Sequence, residues 1–115
     1  MVIKKVNEEE TVMVAYDDCI KVEFVNIGEG YWGDYNPENP DDVNLLRFYV
    51  YFKPENEKEW QAVEDASYCT GVAATEKEET IMEKIGKLFK AYRKAYGHIC
   101  RGGSVKKLGE AMSWI

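Results

Sequence analysis

The sequence predicts an α+β domain in which an antiparallel sheet of four to five strands, from the N-terminal half, packs against two C-terminal helices. Apolar and polar residues alternate along the first half, whereas apolar residues recur every three to four positions in the second half. Strand-type segments come first and helix-type segments follow, an order typical of α+β folds. The length of 115 residues suits one domain spanning 1–115, with the sheet in 1–70 and the helices in 75–115.

The strands follow from period-two patterns. Residues 11–16 and 19–27 both alternate, and Asp17-Asp18 between them is favourable turn chemistry, which predicts a hairpin. Residues 45–53 form the strongest strand, with Tyr49 and Tyr51 on its polar face. We expect an edge strand over 2–6 and a returning strand over 60–63 that resumes near Tyr68.

The first helix is predicted from a capping box and an apolar stripe. Thr75 and Glu78 have the spacing of a capping box, and Gly97 is a suitable residue to end the helix. One face carries the apolar side chains of Ile81, Ile85, Leu88, Phe89, Tyr92 and Tyr96. Ser104 is expected to cap a short second helix that closes the core.

Residues 28–44 form a long loop that is acidic and rich in glycine and proline. Its Gly28-x-Gly30-x-x-Gly33 motif matches a dinucleotide fingerprint, but no helix follows to hold a pyrophosphate, and Glu29 and Asp34 would repel one. The glycines are therefore expected to form a tight loop that carries aromatic residues. Long loops in compact domains are commonly functional or disordered.

Composition excludes several classes of function. The net charge of −6 disfavours general nucleic-acid binding, and no apolar run is long enough to span a membrane. Acidic residues at positions 8–10 replace the apolar stretch of a signal peptide, so we expect the protein to stay in the cytoplasm. Three widely spaced cysteines indicate neither a disulfide framework nor a metal site. We predict no catalytic residue, metal or cofactor.

The charge is divided unevenly, with 14 acidic and 6 basic residues in 1–59 against 7 acidic and 9 basic residues in 60–115. The acidic half suggests a surface for a partner with a basic surface, since aromatic residues of the kind that anchor interfaces lie among its acids. The predicted partner-binding residues are Tyr31, Trp32, Asp34, Tyr35, Asp41 and Asp42.

The basic half suggests an alternative, which is a site for a phosphorylated nucleotide at the start of the second helix. Two glycines before a capping serine leave amides free to bind an anion, and basic side chains surround them. The site would comprise Arg101, Gly102, Gly103, Ser104 and Lys106, with Tyr49 or Tyr51 stacking on the base. An ordinary turn between helices explains the same residues, and an exposed strand edge leaves a homodimer open as well.

Several segments resemble small uncharacterised proteins of bacterial phages and mobile elements. They are GEGYWGDYNP (28–37), LLRF (45–48), DASYCT (65–70), GSVKKLGE (103–110) and SWI (113–115). The resemblance implies a class of short accessory proteins, among them anti-CRISPR and other anti-defence inhibitors that act by binding. The leading hypothesis is accordingly a non-enzymatic inhibitor that blocks a basic surface of a partner such as a CRISPR or other defence nuclease, in the host cytoplasm if the protein is phage-encoded.

Overall fold

The computed structural model describes residues 1–8, 10–54, 57–63 and 66–100, with the backbone alone described for 7, 8 and 96–100. It confirms an α+β fold with an antiparallel sheet. The sheet has seven strands, more than the four to five predicted, because the loop after the third strand forms a short strand and the returning chain forms two. The helix in the described part of the chain is not apolar over a stretch long enough to cross a membrane.

Most of the sheet follows sequence order, β1-β2-β3-β5-β6, while β4 pairs with β3 and β7 pairs with β5. All the pairings are antiparallel. The strands are β1 (Val2–Glu8), β2 (Thr11–Tyr16), β3 (Ile20–Gly30), β4 (Gly33–Asp34), β5 (Leu45–Phe52), β6 (Gln61–Ala62) and β7 (Tyr68–Ala73).

The hairpin between β2 and β3 forms as predicted, and Asp17 directs its turn. One carboxylate oxygen of Asp17 accepts hydrogen bonds from the backbone amides of Cys19 and Ile20, both at 2.8 Å. The other oxygen lies 2.8 Å from Nε of Arg93, which ties the turn to the helix. A short acidic side chain that bonds nearby amides is the usual reason why Asp favours turns.

The helix α1 (Glu78–Cys100) lies across β2 and β3 and covers one face of the sheet. Its buried apolar side chains are Ile81, Ile85, Phe89 and Tyr92, which belong to the predicted stripe. Of the other two predicted members, Leu88 is half-buried and the side chain of Tyr96 lies outside the described part of the chain. The buried side chains pack on alternate residues of the strands, namely Met13, Ala15, Ile20, Val22, Phe24, Leu46, Phe48, Val50 and Phe52. Because strand side chains alternate between faces, the opposite face carries the polar set, including Lys21, Glu23, Arg47, Tyr49 and Tyr51.

The limits of α1 differ from the prediction at both ends. The helix begins at Glu78 rather than after Thr75, because the Ala74 amide is bonded to the Asn44 carbonyl and the chain turns at 74–76. It continues through Gly97 to Cys100. The structure describes one helix instead of the predicted two, and the predicted second helix falls on residues 104–115, outside the described part of the chain.

Candidate functional site

The predicted loop 28–44 contains a hairpin that is held by many hydrogen bonds. We call residues 28–42 the acidic hairpin. Strand β3 extends to Gly30, the chain reverses at two residues, and β4 returns with Gly33 opposite Gly30. Gly28 and Gly33 have φ angles of 72° and 113°, which residues with side chains rarely adopt, so these glycines are required by the turn. The Tyr35 amide then bonds to the Gly28 carbonyl at 2.7 Å and closes the base of the turn.

The two residues at the turn place aromatic rings in solvent. The exposed fractions of Tyr31 and Trp32 are 59% and 70%, the largest among the exposed large hydrophobic residues of the described chain. The two rings form an edge-to-face pair, with centroids 5.8 Å apart and planes inclined at 69°. Edge-to-face contact is a favourable arrangement of aromatic rings, and it holds the pair as a unit.

The carboxylate of Asp42 organises the acidic hairpin from inside. One of its oxygens accepts the amides of Tyr31 and Val43, the other accepts the amide of Asn36, and all three distances are 2.9 Å. The amide of Asn36, followed by that of Tyr31, lowers the pKa of Asp42, because these bonds favour the charged form. The sequence predicted Asp42 as a partner-binding residue, but the structure buries it to 8% exposure and uses its carboxylate within the hairpin.

Gly30 is needed for the same arrangement. A Cβ atom at Gly30 would lie 2.5 Å from an oxygen of Asp42, so a side chain there would displace the carboxylate. Two further turns are fixed by asparagine side chains, since Asn36 accepts the Glu38 amide and Asn39 accepts the Asp41 amide, each at 3.0 Å. These bonds hold the segment between β4 and β5 in one conformation.

Besides its aromatic tip, the acidic hairpin carries three exposed acids, namely Asp34, Glu38 and Asp41. No lysine or arginine occurs between residues 22 and 46. Glu29 also belongs to the hairpin, but both of its carboxylate oxygens bond to Arg47, at 3.0 and 3.1 Å. Of the predicted surface, Tyr31, Trp32, Asp34 and Asp41 are therefore exposed on one hairpin, while Tyr35 is half-buried.

The remaining predicted residues divide into two groups. Arg101, Gly102, Gly103, Ser104 and Lys106 lie outside the described residues. Tyr49 and Tyr51 lie on the sheet face opposite α1.

The ring of Tyr51 is engaged by the protein itself. The ammonium of Lys21 lies 4.7 Å from the ring centroid. Burial raises the pKa of Tyr51 to about 12, and the nearby Glu23, to which its hydroxyl bonds, adds to the effect.

Sequence reasoning did not identify a cluster of lysine and tryptophan on this same face. Lys21 and Lys53 place their ammonium groups 5.0 and 4.9 Å from the Trp60 ring centroid. It also missed the network in which Arg47 bonds both to Glu29 and to Ser67, through the hydroxyl and the carbonyl. Only strand register places these residues side by side, and a single sequence does not specify register at this level.

The buried thiol of Cys19 and the Asp17 carboxylate beside it are engaged within the fold. Burial raises the pKa of Cys19 to about 12, and the nearby Asp17 carboxylate adds to this, so the thiolate is disfavoured at neutral pH. Among the described residues, metal-ligand side chains come together only at Asp17, Asp18 and Cys19, where Asp17 already bonds two amides and Arg93.

Comparison with known proteins gives no match. No protein-family model, curated protein sequence or solved structure is similar to this chain.

Proposed function

We propose that this protein binds a basic surface of another protein through the acidic hairpin and thereby blocks that surface. The observation that carries the proposal is the exposure of Tyr31 and Trp32 on a turn whose backbone is fixed by the buried carboxylate of Asp42. Exposed aromatic residues at the centre of a surface are the usual anchors of protein interfaces.

Fixing the tip in advance favours binding because little conformational entropy remains to be lost. The bond from the Tyr31 amide to Asp42 already holds the turn, so the backbone that carries the two rings need not be ordered by the partner. Exposed apolar side chains that lie next to each other on a protein surface often mark an interaction site. The geometry of the tip is therefore suited to insertion of two rings into a partner's pocket.

The charge of the acidic hairpin defines the chemistry of the partner. Asp34, Glu38 and Asp41 are exposed and have no basic residue near them in the sequence, so they would attract a surface of lysines and arginines. Such surfaces line the nucleic-acid channels of nucleases. We propose a channel of this kind, in a CRISPR or other defence nuclease, as the target, and inhibition without catalysis as the outcome.

This proposal can be tested by capture from a bacterial lysate with three immobilised forms of the protein. The wild type is compared with a hairpin variant, Asp34→Lys/Glu38→Lys/Asp41→Lys, and with a control variant, Glu57→Lys/Glu59→Lys/Glu76→Lys. All six acids are exposed, and both variants change the net charge equally. We expect one protein to be captured by the wild type and the control but not by the hairpin variant.

The ring contribution is tested in the same experiment with Trp32→Ala. Loss of a central aromatic anchor commonly costs about 2 kcal/mol or more of binding energy, which weakens affinity by more than about tenfold. If the hairpin variant and Trp32→Ala capture the same proteins in the same amounts as the wild type, the proposal is wrong.

The nucleotide alternative stays a prediction. Its anion-binding residues lie outside the described chain, and Lys21 covers a ring that it would use for stacking. A rise in melting temperature with a cyclic or linear nucleotide would favour it.

A further inference from the structure

In the part of the chain that the structure describes, the outer edge of β1 is open to pairing. Within the described residues, β1 pairs only with β2, so one side of its backbone has no strand partner. Lysines often protect such edges, and β1 contains Lys4 and Lys5. Here the Lys4 ammonium lies 5.7 Å from the Tyr16 ring centroid, on one face of the sheet, and that of Lys5 lies 3.8 Å from a Glu78 oxygen, on the other face. Both lysine side chains therefore lie against the two faces of the sheet and not along the outer edge of β1.

An apolar groove of about 500 Å³ runs beside this edge, between β1 and α1. Its apolar lining comes from Met1, Ile3, Met82 and the surface of Gly86. Met1 is 56% exposed and Met82 39%, and the neighbouring Val2 is also exposed. Among the described residues, the unpaired backbone edge of β1 therefore borders the apolar groove directly.

The charged rim of the groove is divided into two halves along α1. Glu79 and Glu83 line the N-terminal part and Lys87 and Lys90 line the C-terminal part, with Gly86 close to the boundary. A two-fold axis close to Gly86 would place the acidic half of one molecule opposite the basic half of another. The groove is thus complementary in charge to a second copy of itself.

We infer that two copies of this chain associate through antiparallel pairing of their β1 strands, with a two-fold axis perpendicular to the sheet near Ile3. The pairing continues the sheet across both molecules and places the two α1 helices antiparallel on the same face. With Ile3 opposite Ile3 of the second copy, Lys4 faces Val2, so no lysine faces another across the new ladder. Met1 and Met82 of both copies are then covered in the joined grooves.

A second copy fits this surface better than an unrelated peptide. A foreign strand would satisfy the backbone of β1, but nothing in that pairing requires the helix rim to be acidic in one half and basic in the other. Two-fold association uses both halves, since each Glu83 faces Lys90 of the second copy. The inference concerns a surface separate from the acidic hairpin, so it does not depend on the proposed function.

The test is the molar mass of the full chain by analytical ultracentrifugation from micromolar to near-millimolar concentration. We expect wild-type dimers of twice 13.3 kDa. Glu83→Lys and Lys90→Glu should each weaken association by about tenfold, since each change disrupts two symmetry-related charge pairs. The double variant Glu83→Lys/Lys90→Glu should recover association, because the opposed charges are exchanged.

A matched variant distinguishes the inferred contact between Glu83 and Lys90 of the second copy from the Glu83–Lys87 ion pair within one helix. Glu83 lies 3.3 Å from Lys87 of its own helix, so Glu83→Lys/Lys87→Glu restores that pair in reversed order. The same variant leaves a positive charge at position 83 facing Lys90 of the second copy, so the contact between the two copies becomes repulsive.

We expect Glu83→Lys/Lys87→Glu to associate about tenfold more weakly than the wild type, and so to be mainly monomeric at the lower concentrations at which the wild type still dimerises. Far-ultraviolet circular dichroism and melting should show an intact fold. Three results would overturn the inference: a monomeric wild type at every concentration, dimers insensitive to Glu83→Lys, or no recovery in Glu83→Lys/Lys90→Glu.

Discussion

Asp42 shows how one buried carboxylate can determine the shape of an exposed hairpin. It accepts three backbone amides that the short strand β4 leaves without partners, and it thereby connects the tip at Tyr31 with the chain before β5. These part-buried amides would lose their partner without the carboxylate, so the charged form of Asp42 stabilises the loop. The neighbouring Asp41, by contrast, is exposed.

The role of Asp42 leads to a prediction for pH dependence. Its pKa in the folded protein is below the ordinary value of 3.8, so the charged form stabilises the fold. This stabilisation is present at neutral pH and is lost as the pH falls below 3.8 through the lowered pKa. Asp42→Asn should therefore melt several degrees below the wild type at neutral pH, and the difference should narrow in acid.

Melting curves of the wild type and Asp42→Asn between neutral and acidic pH provide the measurement. Asp41→Asn is the control, because its exposed side chain should have little effect on the melting temperature. The variants are compared with the wild type because Asp17 also has a lowered pKa and therefore adds to the loss of stability in acid. Burial alone would raise the pKa of Asp17, but the hydrogen bonds from the Cys19 and Ile20 amides outweigh that effect. A difference that is constant with pH would refute the proposed role of Asp42.

The sequence could not distinguish Asp42 from the other acids of the hairpin. In the sequence, all the acids in 28–42 are equivalent carboxylates. Which of them is buried depends on how the chain bends at Gly28 and Gly33. The aromatic residues were easier to predict, because Tyr31 and Trp32 lie between glycines that favour a tight turn. The sequence therefore predicts the tip of the site but not its internal support.

At the level of the elements, strands and helix follow local patterns closely. The alternation in β5 predicted both its extent and its buried face, since Leu46, Phe48 and Val50 are all buried. The helix start was predicted too early because the capping box at 75–78 is a local signal, whereas the Ala74–Asn44 hydrogen bond is a long-range contact. Long-range contacts of this kind override local preference.

Gly86 allows a prediction about the stability of α1. It lies within the helix, where glycine is unfavourable, and an added Cβ would meet only Ile3, at 4.0 Å. Gly86→Ala should raise the free energy of unfolding by about 0.5–1 kcal/mol, measured by chemical denaturation. Gly33→Ala is the contrasting variant, since its φ of 113° should make alanine destabilising. A destabilised Gly86→Ala would show that the groove needs the smallest residue.

At the scale of the whole molecule, charge is separated along a body 49 Å in its longest dimension. The acidic hairpin follows the end of β3, while the basic half of α1 lies toward the opposite end, where Arg93 contacts Asp17. Such separation orients an approaching partner before contact is made. Antiparallel pairing of β1 in the inferred dimer would place the two acidic hairpins at opposite ends of the joined sheet.

Two hairpins on one particle should increase retention on a dense surface of target. The protein captured by the wild type is immobilised at high density, and dissociation of the wild type is compared with that of Glu83→Lys/Lys87→Glu, which has the same net charge. Because a second linked contact adds at least about a hundredfold in avidity where geometry permits, the monomeric variant should dissociate much faster from the dense surface.

Its affinity for the target in solution, where one hairpin binds one target, should equal that of the wild type. Equal dissociation from the dense surface would mean that the two hairpins do not engage together, whereas a loss of solution affinity would place part of the binding surface on α1.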